Sequence, residues 1–78
     1  MKDKLVALDP ELLFADGYDD CIMGLTFKDG VAVVIYSADL MIEKLCEDMT
    51  EQEAHEFFSF NIEGAYVGER TPVYWYGL

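Results

Sequence analysis

Residues 21–37 read CIMGLTFKDGVAVVIYS, with Asp29-Gly30 separating two apolar runs. Asp-Gly readily takes the positive φ angles of a two-residue type I′ turn, so this segment predicts a β-hairpin. Such a loop pairs Lys28 with Val31, Phe27 with Ala32, Leu25 with Val34 and Met23 with Tyr36, and the last three pairs make an apolar face. The reverse face, with Ile22, Gly24, Thr26, Val31, Val33 and Ile35, is more apolar than a solvated sheet face. A cover is therefore expected. Leu5, Val6, Leu8, Leu12, Leu13 and Phe14, a second copy of the chain, or a target could each supply it.

After the hairpin the period changes. From Ser37 or Asp39, either of which can cap a helix, Met41, Ile42, Leu45, Cys46 and Met49 recur at helical spacing, with Glu43, Lys44, Glu47 and Asp48 outside. Thr50 and Glu53 have capping-box spacing, and Ala54, Phe57, Phe58, Asn61, Ile62 and Ala65 mark the buried stripe of a second helix. Asn61 lies within that stripe, so its amide is expected to bond backbone near the hairpin or the final turn. Gly64 or Gly68 ends the helix, and Pro72 precedes VYWYGL, which reads as a short strand at a sheet edge. The expected fold is α+β in the order ββααβ, a small antiparallel sheet with helices on one face. Without repeats, low-complexity tracts or linkers, residues 1–78 form a single acidic domain.

Sixteen Asp and Glu against five Lys and Arg leave a formal charge of −11. Nucleic acid and anionic membrane would both repel such a chain, and a basic protein surface is its natural partner. The start, MKDKLVALDPELLF, is too broken by Asp9, Pro10 and Glu11 for a signal peptide, and no apolar stretch approaches a membrane span. Cys21 and Cys46 stand in apolar contexts without CxxC spacing and read as small buried hydrophobes of a reduced, cytoplasmic protein.

Chemistry is thinly supported. Asp16, Asp19 and Asp20 beside Gly17 offer oxygen ligands, but the spacing is not that of an EF-hand and a solvated turn accounts for the same residues. His55, the only histidine, falls between Glu51 and Ser59 on the polar side of the second helix, without a nucleophile or oxyanion motif. The glycines form neither GxGxxG nor a P-loop. No enzyme activity, catalytic residue, metal or cofactor is expected.

The run FNIEGAYVGERTPV at 60–73, together with DDCIMG at 19–24, resembles a family of short bacteriophage and prophage proteins that share a tail of the form F-N-x-x-G-A-Y-V-G-E-x-T-P. The resemblance spans most of residues 14–76. It implies a viral or mobile-element origin. Small acidic phage proteins often act as stoichiometric inhibitors of host machinery, including CRISPR effectors and restriction enzymes. Gly64 and Gly68 bracket one helical turn and Thr71-Pro72 sets an extended entry to the last strand, so the tail reads equally as a folding motif or a binding site.

The resulting expectation is a cytoplasmic, non-enzymatic inhibitor of a host nucleic-acid-handling or defence complex. Glu43, Glu47, Glu51, Glu53, Glu56 and Glu63 would supply charge, and Glu69, Arg70, Trp75 and Tyr76 a packed anchor. The alternative is a small homodimeric assembly module.

Overall fold

In the computed structural model, which describes residues 1–77, Asp29 and Gly30 hold positive φ angles of 53° and 80°. The hairpin of β1 (Ile22–Lys28) and β2 (Val31–Ser37) thus closes with the turn that Asp-Gly favours. Lys28, Phe27 and Leu25 pair with Val31, Ala32 and Val34 as a two-residue loop requires. Beyond Gly24 the register departs from the expected one, because Ile22 rather than Met23 faces Tyr36. A β-bulge absorbs Met23, and Gly24 at φ 152° supplies a backbone conformation that other residues rarely adopt. The slip turns Ile22 into the core and leaves Met23 exposed.

Ser37 ends β2 and caps α2 (Ala38–Leu45), its hydroxyl accepting the Leu40 N–H at 3.1 Å. Thr50 opens α3 (Glu51–Phe57) with a complete capping box: Glu53 N–H donates to Thr50 Oγ1, and Thr50 N–H donates to Glu53 Oε1. The chain then continues as a π-helical turn over Phe58–Glu63. In front of the hairpin lie α1 (Lys2–Leu8), an element missing from the expected order, and a 3₁₀ turn over Asp19–Cys21. Leu5 is the one buried residue of α1.

The third strand, β3 (Val73–Trp75), lies at the sheet edge as expected but runs parallel to β2, so the sheet is mixed rather than antiparallel. Residues 38–72 form the crossover that a parallel pair demands. Arg70 ties the chain just before β3 to the rest of the fold. Its guanidinium donates to Ala32 O at 3.3 Å and to Asp9 at 2.6 Å, and the tail joins β2 from the Ala32 side, with Val73 beside Ile35.

One core cluster joins Leu5 and Leu12, Cys21 and Ile22, Val34 and Tyr36, Met41 and Ile42, and Ala54 and Phe58. All three α-helices therefore contribute to one apolar interior, built on the Val34/Tyr36 face of β2. On the reverse face, Val33 is fully buried, whereas Gly24, Thr26, Val31 and Ile35 are half-buried, so the expected cover is partial. Tyr36 Oη accepts the Ala15 N–H at 2.6 Å, tying the segment before the hairpin to the centre of the sheet. Among the described residues, no helix is long and apolar enough to cross a membrane.

Candidate functional site

Charge is distributed unevenly. Lys2 pairs with Asp19 at 3.6 Å, Lys44 with Asp20 at 3.0 Å, and Arg70 with Asp9 and Glu11 at 2.6 and 3.3 Å. Residues 45–69, by contrast, carry seven carboxylates and neither Lys nor Arg. Among the described residues, no Lys or Arg nitrogen lies within 4.0 Å of Glu43, Glu47, Glu51, Glu53, Glu56, Glu63 or Glu69. The negative surface along α3 and its continuation is thus open to an external cation.

The expected acidic residues do not all stand in the same situation. Glu43 and Glu47 border a polar depression with Asp20 and Lys44. The Lys44 hydrogen bond holds the Asp20 carboxyl below its ordinary value. Glu51 approaches His55 Nε2 at 4.0 Å, both on the exposed side of α3, and Glu56 accepts from Gln52 Nε2 at 3.4 Å. Glu53 closes the capping box, and the Thr50 backbone N–H keeps its carboxyl below the usual range. Glu63 accepts the Tyr76 hydroxyl at 2.8 Å, and burial together with that carboxylate pushes Tyr76 up to about 12.

The expected anchor residues divide in the same way. Arg70 is half-buried and committed to contacts within the fold, with Asp9, Glu11 and Ala32. Glu69 and Trp75 are exposed, Trp75 to 56%. Within the tail, Thr71 Oγ1 accepts the Val67 N–H at 2.9 Å and donates to Gly68 O at 2.6 Å, while Thr71 and Pro72 are buried. These contacts give much of the FNIEGAYVGERTPV string a folding role.

The π turn rearranges the second half of the expected stripe. Gly64 N–H donates to Ser59 O at 3.0 Å, an i to i+5 bond that widens the turn by one residue. Ala54 and Phe58 remain buried, but Asn61 and Ala65 are exposed and Ile62 is half-buried, so Asn61 is not the core amide that an uninterrupted α-helix predicts. Phe57 and Phe60 reach solvent at 40% and 81% exposure, followed by Tyr66 at 77%. The sequence carries a hint of this: three aromatics within the four positions 57–60 cannot all share one helical face.

Two depressions flank this turn. One, of about 260 Å³, is walled by Phe14, Tyr18, Ile62, Ala65, Val67 and Tyr74, with Asp16 also lining it. The other, of about 350 Å³, lies between Met49, Phe57, Phe60 and the carboxylates Glu53 and Glu56. Asn61 lines both. Edge-to-face packing of Phe58 on Tyr74 at 5.3 Å, and the stacking of Tyr74 on Tyr36 at 6.0 Å, fix the floor beneath the turn.

The remaining candidates from the sequence lie elsewhere. Asp19 and Asp20 diverge to Lys2 and Lys44, and the described residues include no cluster of three or more His, Cys, Asp or Glu suited to a metal ion. Both cysteines are free. Cys21 is buried and desolvation pushes its thiol up to about 11, whereas Cys46 is exposed at the C-terminal cap of α2 instead of joining the core. Cys46 still holds helical angles, φ −66° and ψ −9°, with its N–H on Ile42 O, but the tighter bonds that follow, Glu47 N–H to Lys44 O and Asp48 N–H to Leu45 O, end the helix there and add no further turn to cover its side chain. Comparison of the chain with family models, curated proteins and solved structures finds no match.

Proposed function

We propose that this chain is a non-enzymatic, phage-related interaction protein that binds a basic surface of a host nucleic-acid-handling or defence protein and blocks it. The observation that carries this reading is the stretch 45–69, which holds seven carboxylates without a Lys or Arg and exposes the rings of Phe57, Phe60 and Tyr66, with Glu53 and Glu56 beside Phe57 and Phe60. Carboxylates attract and orient a Lys/Arg-lined groove, and the aromatic rings supply the desolvated contacts that slow dissociation. The phage assignment rests on the tail string.

Glu47, Glu51 and Glu56 are the residues to reverse, because Glu53 and Glu63 also serve the fold through Thr50 and Tyr76. A tagged chain is expected to retain a nucleic-acid-handling protein from host lysate at low salt and release it at high salt. The triple Glu→Lys variant should retain at least about tenfold less, since complementary charge governs such encounters. Retention unchanged by the triple reversal rejects the reading.

A second reading, a homodimer, is favoured by Phe27 and Met23, both exposed on the outer strand β1. A mass in solution that stays monomeric at all concentrations removes it.

A further inference from the structure

The π turn is a ridge with a different chemistry on each side, joined by Asn61. On one side the cleft of about 260 Å³ is walled mainly by aliphatic and aromatic side chains. That is below the roughly 300–1,000 Å³ of sites that enclose whole small molecules, and matches a single side chain better than a free metabolite. On the other side two phenylalanine rings and a methionine stand beside Glu53 and Glu56. The Thr50 and Gln52 hydrogen bonds each use Oε1 of their glutamate, so Oε2 of both carboxylates lies outside those bonds.

Ring faces next to carboxylates suit a cation, and a guanidinium suits them best. It stacks flat on an aromatic ring while its N–H groups reach carboxylate oxygens lying in its own plane above the ring. An apolar socket and a cation socket on either side of one ridge match an amphipathic helix, whose side chains at i and i+4 share a face.

We propose that the turn Phe58–Glu63 is the docking ridge for a basic amphipathic helix of the partner protein. An arginine of that helix stacks on Phe60 and Phe57 between Glu53 and Glu56, and a leucine-sized side chain enters the cleft beside Ile62 and Ala65. This inference rests on the binding reading above and names the chemistry of its partner.

The probe is a synthetic amphipathic helix of leucine and arginine, titrated into the isotope-labelled full chain at near-physiological salt and followed by amide NMR. Shifts are expected to concentrate at Met49, Glu53, Phe57, Phe60, Ile62 and Ala65. Phe60→Ala removes an exposed ring, so the melting temperature should hold while affinity falls about 5-fold, the worth of an exposed cation–π contact. Replacing the probe's leucines with alanine while keeping it helical leaves the protein untouched and should weaken binding by about tenfold or more.

Equal affinity of the chain and Phe60→Ala, with shifts spread evenly over Asp20, Glu43 and Glu47, overturns the ridge. If the triple Glu→Lys variant still loses the probe in that case, the electrostatic reading stands and only the groove assignment falls. Probe binding untouched by charge reversal instead removes both.

Discussion

A methyl group at position 64 would lie 2.9 Å from Ser59 O and 3.3 Å from Phe60 O, both backbone atoms that cannot swing aside. Glycine is therefore required by close approach where the π turn closes, although its own φ of −77° is ordinary. Gly64→Ala is expected to lower stability by about 1–3 kcal/mol, the usual cost of forced overpacking. Urea denaturation measures it, and a loss well below that range means the turn relaxes to an α-helix without penalty. Phe60 lies outside the expected buried stripe, and its ring is exposed to 81%. Its neighbour Phe58 stays in the core between Tyr74 and Tyr76, at 5.3 and 6.2 Å. Nearby aromatics thus take opposite roles, one in folding and one on the candidate surface.

At the scale of elements, α3 depends on its first turn, because Ala54 is the one fully buried residue it offers. Thr50→Ala should cost about 1 kcal/mol, as loss of an N-cap hydroxyl usually does. The pH dependence follows from Glu53. Its carboxyl, ordinarily near 4.5, is lowered in the folded state by the Thr50 backbone N–H. A lowered folded pKa means stability that is fully present above about pH 4.5 and lost as pH falls through the folded value. The stability difference between the chain and Glu53→Gln should therefore be largest at neutral pH and shrink below 4.5. A difference that persists undiminished in strong acid shows that the capping carboxylate is not its source. Both cap positions are legible from Thr50 and Glu53 alone, since a capping box is satisfied within four residues.

For the molecule as a whole, a charge of −11 sits on a body of 36 × 22 × 21 Å. In about 0.01 M salt the screening length, roughly 30 Å, spans most of that body, whereas at about 0.15 M it falls to roughly 8 Å. Self-repulsion along α3 should therefore fade with salt faster than the close Arg70–Asp9 contact weakens. The melting temperature is expected to rise with sodium chloride over this range, by calorimetry or circular dichroism. A fall would mean that the three ion-paired cations, Lys2, Lys44 and Arg70, outweigh the open carboxylates.

Features that close over a few neighbouring residues are legible in the amino-acid sequence alone. These are the Asp29-Gly30 turn, most of the hairpin register, the Ser37 and Thr50 caps and the acidic outer faces of the helices. Each rests on local backbone preference or periodicity, which a linear pattern records directly. The bulge at Met23, the parallel entry of β3 and the exposure of Phe57, Asn61 and Ala65 are settled by packing between distant segments, which also brings Arg70 to Asp9 and Tyr36 to Ala15. The amount and sign of the surface charge belong to composition. The two depressions that share Asn61 form only when a one-residue widening of the helix is held against the sheet, a balance of packing that no local pattern encodes.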